Sequence, residues 1–174
     1  MKKEKGLTRF VIVIPELGIV IKFPIIHLIN FIVLVVQHGM RSSRWIAWKG
    51  FWNLPAEARS GYKGQLFGGL WANWSEFQFY RKTKNPFLLP TYMSVFGLVN
   101  VQQIGESCDF ENDNPWHELI NLTLDICQDP HSFSESGNLC YRDGNLRIFD
   151  YAGTATQQII LKHGVRFSKI TKKK

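Results

Sequence analysis

Cysteine is scarce and unpatterned in this chain. Its three cysteines, Cys108, Cys127 and Cys140, form no CxxC pair and no His/Cys spacing of the zinc-binding kind. An odd number also argues against a disulfide framework, so a reducing, cytoplasmic setting is expected. A bilayer-spanning run is missing as well. The most apolar stretch, Ile25 to Val36, has twelve residues, short of the roughly 20 that a spanning helix needs. Extending it back to Leu17 takes in Lys22 and Pro24. The apolar run after the basic N-terminus is broken by Glu16 and Lys22, unlike a cleavable signal. Residues 40 to 75 show no repeat, and negative charge is in deficit over the chain, with 14 Asp+Glu against 21 Lys+Arg for a net charge of +7. That balance favours polyanions such as a nucleotide or a lipid surface. A nucleic-acid-binding role would rest on the charge alone and is disfavoured.

What is present suits one globular domain. Over 174 residues, 45% hydrophobic and 20% charged residues exclude global disorder and support a real core. Arg9 to Ile14 and Ile19 to Phe23 are β-branched runs around Pro15-Glu16-Leu17-Gly18, which predicts a hairpin. Lys22 lies inside the second run. An unpaired buried ammonium is costly, so Lys22 either has a partner or sits on an edge facing solvent. Ile25 to Val36 reads as a buried strand or core helix, with a membrane-associated segment as the alternative, because Arg41, Arg44, Trp45 and Trp48 follow it.

Residues 40 to 75 are rich in Trp and Gly. Asn53 to Glu57 reads as a short helix start, and Gly61, Gly64, Gly68 and Gly69 read as a loop. A helix is predicted over Ala72 to Lys82, with Asn73 as N-cap. Two strands, Thr91 to Phe96 and Leu98 to Gln103, flank Gly97. Residues 104–115 form a polar linker, and Trp116 to Cys127 has the apolar periodicity of a helix. After Gly153, a short helix around Gln157 to Lys162 and a strand would fit.

The stretch with most chemical content is His131 to Gly153. Two short runs flank an Arg142-Asp143-Gly144-Asn145 turn, the signature of a hairpin. Asn138 stands before the first run and Asp150 after the second, so the hairpin brings both side chains to one end. An amide oxygen and a carboxylate there suit Mg²⁺, which takes few protein oxygens and fills its other positions with water and phosphate. The alternative is an ordinary Asp-Gly hairpin.

Here the chain resembles the protein-kinase-like superfamily, nearest in motif style to the aminoglycoside and other small-molecule kinases. His131 and Asn138 keep the spacing of that family's catalytic loop, and Asp150-Tyr151-Ala152-Gly153 resembles its Asp-Phe-Gly motif. Ile19-Val20-Ile21-Lys22 is similar to its Val-Ala-Ile-Lys strand. Two departures stand out. The family's catalytic Asp position is Phe133, and no Gly-x-Gly-x-x-Gly loop precedes Lys22.

The resemblance implies an α+β, two-lobe architecture in a single domain, 1–174. An N-lobe-like sheet plus helix would cover 9–103, with an insertion after the Lys strand. A hinge-like linker would cover 104–115 and a strongly truncated C-lobe 116–174. It also implies ATP and Mg²⁺ as ligands. Lys22 would meet phosphate, and Glu76, with Glu57 as the fallback, would orient it. Asn138 and Asp150 would hold the metal. With the usual base missing, His131 or Glu135 would substitute, Glu135 lying within the loop; Asp129 is a further option. The implied function is a phosphotransferase acting on an unidentified acceptor. The alternative is an inactive pseudokinase that acts as a binding or scaffold protein through its Trp-rich basic surface, in the cytoplasm or peripheral to a membrane.

Overall fold

The computed structural model describes residues 2–6, 8–39, 44–58, 60–108, 119, 123, 133 and 136–171. The β-branched runs form strands β2 (Arg9–Ile14) and β3 (Ile19–Pro24), joined by a 3-10 turn at Pro15–Leu17 that Gly18 closes in the left-handed region, φ 64°. The lysine-rich N-terminus, which charge alone marks as a solvated tail, pairs as edge strand β1 (Lys2–Lys5) against β2. Strands β4 (Thr91–Val95) and β5 (Val99–Gln103) turn through Phe96 and Gly97, both at positive φ, as a tight hairpin with matched twist requires. The result is a five-stranded antiparallel sheet in the order β1-β2-β3-β5-β4. A second sheet joins β6 (Glu106–Ser107), β7 (Leu139–Arg142) and β8 (Asn145–Ile148). The β7–β8 turn places Asp143 and Gly144 at positive φ, as its Asp-Gly sequence predicts.

The fold is α+β. Helix α1 (Leu28–Gly39) and helix α2 (Arg44–Asn53) follow β3, and helix α3 (Tyr62–Thr83) packs on the large sheet. Helix α4 (Thr154–Phe167) is longer than the helix predicted around 157–162, and beyond it the chain returns to β8, where Leu146 N donates to the Ile170 carbonyl at 2.9 Å and Thr171 bridges Asn145.

Three local expectations change. Ile25 to Val36 is neither a strand nor a fully buried helix: most of it forms α1, which lies at the surface with Ile29 77% exposed. Asn53 ends a helix rather than starting one, and Pro55 cannot continue it. The predicted glycine loop is the first half of α3. The helix needs a residue without a side chain where it meets the sheet: a Cβ on Gly69 would overlap the Thr8 carbonyl and lie 2.9 Å from Pro24. Asn73 is consequently an interior helix residue, fully buried, and not a cap.

The apolar core lies away from the large sheet. Phe87, Leu139, Leu146, Ile148, Ile159 and Phe167 belong to one buried cluster between the β7–β8 hairpin, α4 and the end of α3. Leu119, Thr123 and Phe133 are helical and fully buried, and Leu119 and Phe133 join that cluster. The other residues of the predicted 116–127 helix lie outside the described residues. Backbone bonds from Leu89 N to the Ile148 carbonyl, 2.9 Å, and from Ile148 N to the Phe87 carbonyl, 2.9 Å, tie the hairpin to the segment entering β4. The core therefore fixes the hairpin, and the hairpin fixes where Asp150 emerges.

Candidate functional site

The register of the large sheet puts charge where a core is normally apolar. Val11 pairs with Lys22, and Lys22 with Asn100; Arg9 pairs with Pro24, and Val20 with Gln102. With side chains alternating along each strand, Arg9, Lys22, Asn100 and Gln102 share one face, and all four are buried. Helix α3 covers that face and delivers Glu76, itself fully buried.

Glu76 is the hub. Lys22 Nζ donates to Glu76 Oε2 at 2.9 Å, and Arg9 Nη1 donates to Oε1 at 2.6 Å. Asn100 Nδ2 adds a third donor to Oε2 at 3.1 Å. Two cations against one carboxylate would leave an excess buried charge, and Asp150 balances it: Arg9 Nη2 reaches Asp150 Oδ1 at 2.7 Å. The four charges sum to zero, which is the condition under which such a cluster is tolerated away from water.

The segment that carries Asp150 is clamped from three sides. From the sheet, Lys22 Nζ donates to the Phe149 carbonyl at 2.8 Å and Gln102 Nε2 donates to it at 3.2 Å. From α3, Ser75 Oγ donates to the Ala152 carbonyl at 3.0 Å. From α4, Gln157 Nε2 donates to the Tyr151 and Ala152 carbonyls. The Tyr151 ring is fully buried, and its hydroxyl lies 2.6 Å from Thr91 Oγ1 and donates to the Leu89 carbonyl. Asp150 itself keeps 41% of its side chain exposed. The cluster thus presents one carboxylate at its edge and buries the rest.

Electrostatics follow from this arrangement. Burial pulls the Lys22 ammonium below the usual lysine range, with Glu76 working against that pull. Burial would also lower Arg9, but Asp150 and Glu76 outweigh it, and the guanidinium is held above its ordinary value. For Asp150, burial works upward, while Arg9 and Lys22 prevail and bring the carboxyl down to about 2. Asp150 is accordingly an anion at any physiological pH.

Of the residues singled out by sequence, Lys22, Glu76 and Asp150 come together. Asn138 ends a 3-10 turn before β7, and its carbonyl accepts from Phe149 N at 3.1 Å, so it stands next to the residue preceding Asp150. Glu57, the fallback partner for Lys22, caps α4 instead, accepting from Thr154 N at 2.7 Å and Thr154 Oγ1 at 2.8 Å. His131, Glu135 and Asp129 lie outside the described residues. Phe133 is buried core: its ring stacks 6.4 Å from Phe87 at 9° and meets Phe167 at 6.0 Å.

Arg9, Asn73, Asn100 and Gln102 were not anticipated. Asn73 Nδ2 donates to the Lys22 carbonyl at 3.3 Å and the Gly97 carbonyl at 2.8 Å, locking β3 and the β4–β5 turn to α3. A signal for the strand residues did exist. Once Lys22 is placed inward, strand alternation places polar positions of the neighbouring strands beside it.

A carboxylate and an amide are oxygen donors of the kind Mg²⁺ takes, and the structure brings the Asn138 backbone, one hydrogen bond from Phe149, beside the segment that carries Asp150. Arg9 holds one Asp150 oxygen, Oδ1, at 2.7 Å. Among the described residues, no group of three or more His, Cys, Asp or Glu could hold a metal by themselves. No family model matches the chain, and no curated protein or solved structure matches it either.

Proposed function

We propose that the chain binds Mg²⁺·ATP in the manner of the protein-kinase-like superfamily. On this reading the large sheet with α3 plays the part of the N-lobe, and α1 with α2 is an insertion after the Lys strand. Residues from the β7–β8 hairpin onward supply the metal side. The observation that carries the reading is the buried Lys22–Glu76 pair, made by a strand and a helix 54 positions apart, whose Lys also holds the backbone beside Asp150. A phosphate-binding Lys needs a carboxylate to orient it and a metal-binding carboxylate nearby.

Each residue then has a role. Lys22, whose ammonium is buried on Glu76 and the Phe149 carbonyl, would exchange that carbonyl for a phosphate oxygen when nucleotide binds, with Glu76 fixing its direction. Arg9 holds Glu76 and Asp150 in place from inside the cluster. Asn138 and Asp150 would hold Mg²⁺, whose contribution is to neutralise phosphate charge. Positioning and charge neutralisation account for most phosphoryl-transfer catalysis, so transfer to an unidentified acceptor is chemically accessible without the usual Asp. In that case Glu135 or His131 takes the proton.

A second reading, nucleotide binding without transfer in a pseudokinase that engages a protein partner, is favoured by one observation: the Phe133 side chain is committed to the core. Turnover separates the two. With purified protein, Mg²⁺ and ATP, the transferase reading expects slow release of phosphate that falls at least tenfold in Glu135→Gln. Bound nucleotide with no turnover above buffer selects the second reading.

A further inference from the structure

We infer that α1 is a membrane-surface element that docks the protein on an anionic lipid bilayer. This inference stands apart from the nucleotide site. It begins with a helix that is apolar on both sides. Phe31, Leu34 and Val35 are half-buried, and the Phe31 ring meets Tyr62 of α3 edge-on at 5.7 Å. The opposite side would be polar in an ordinary surface helix. Here it carries Leu28, Ile29, Ile32, Val33 and Val36, each between 46% and 77% exposed. Among the α1 residues whose burial is described, Asn30 and Gln37 are the exposed polar ones. A contiguous aliphatic patch of this kind marks a surface that something apolar covers.

Composition identifies the cover as lipid. Protein-binding hot spots are enriched in Trp, Tyr and Arg, whereas Leu and Val are under-represented. The exposed stripe has only branched aliphatics. The aromatic and basic residues stand just beyond its end instead: Arg41, Arg44, Trp45, Trp48, Lys49 and Trp52 follow in sequence, and Trp52 is 39% exposed. In sequence order an aliphatic helix is followed by Trp and Lys/Arg, the residue types that anchor a segment at the headgroup boundary. The chain's net charge of +7 complements an anionic surface. Twelve residues of helix reach about 18 Å, against a hydrocarbon core of about 30 Å, so α1 lies on the membrane and does not cross it. Among the described residues no helix is long and apolar enough to span.

The test is co-sedimentation with vesicles of phosphatidylcholine, with and without phosphatidylserine, using wild type and an Ile29→Asn/Ile32→Asn variant. Both positions are exposed, so the variant should melt within a few degrees of wild type. Wild type should bind the phosphatidylserine vesicles at least tenfold more tightly than the variant does, and more tightly than it binds neutral vesicles. Three results would overturn the inference. One is no sedimentation with either vesicle. Another is binding that the variant retains, which would assign it to the lysine-rich ends alone. The third is a wild-type dimer that Ile29→Asn/Ile32→Asn dissociates without any vesicle binding, which would make a second copy of the chain the cover.

Discussion

Glu76→Ala should be among the most damaging single substitutions in the chain. It leaves Arg9 and Lys22, 7% and 3% exposed, facing each other with only the partly solvated Asp150 as counter-charge. Removing one partner of a buried ion pair costs about 3–5 kcal/mol. For a chain of this size that lowers Tm by on the order of 10 °C. Lys22→Met should cost much less, about 1 kcal/mol, because Glu76 then keeps Arg9 and Asn100 and the methionine fills the same volume. The asymmetry is the informative part. In Lys22→Met/Glu76→Ala the unpaired ammonium is gone, so the double variant should be less destabilised than the sum of the two singles, by about 0.5–3 kcal/mol. Thermal melts of the three variants measure this. Equal, small losses from Glu76→Ala and Lys22→Met would mean that the cluster opens to water.

The second large effect is expected at Phe133, where the resemblance to kinases suggests the most tempting repair. Phe133→Asp restores the acidic residue of the family's catalytic loop, yet it should yield a protein that folds poorly or not at all. The ring is fully buried among Phe87 and Phe167. Truncating such a side chain costs about 3–5 kcal/mol, and placing a carboxyl in the vacated apolar space adds the cost of an unpaired polar group. Against a total stability of about 5–15 kcal/mol, the sum approaches global unfolding. Phe133→Leu, which keeps an apolar side chain, is the milder control. Soluble expression and melting temperature decide the matter. A Phe133→Asp protein that melts near wild type and gains phosphate transfer would show that this position can swing out of the core into the site.

The two substitutions mark how far the sequence can be read. Lys22 and Glu76 were legible because each is hard to explain alone: a Lys inside a β-branched run demands a partner, and an aromatic-rich helix offered one. Asp150 was legible through the Asp-Gly turn, which fixes the hairpin register and hence where the chain emerges. Arg9 was not. At the head of a strand it looks like any basic residue, and its role appears only when the β2–β3 register and the exit of β8 meet in space. The glycines of α3 failed in the opposite direction. Gly64, Gly68 and Gly69 lower helix propensity locally, so they read as a loop. Tertiary packing overrides that preference, because only a residue without a side chain lets α3 approach Thr8 and Pro24. Helix α1 misled for a third reason. Its hydrophobicity signals burial, and the sequence does not say whether protein or lipid provides it.

The central claim, a Mg²⁺-dependent nucleotide site at Lys22, Glu76 and Asp150, is tested most directly by thermal melts with ATP, with and without Mg²⁺, on wild type and Asp150→Ala. A ligand that binds only the folded state adds about 2.7 kcal/mol at about 100 times its Kd, which is several degrees for this chain. The account predicts that shift for wild type only when Mg²⁺ and ATP are both present, and its loss in Asp150→Ala. No shift at millimolar ATP, or an equal shift in Asp150→Ala, would contradict it.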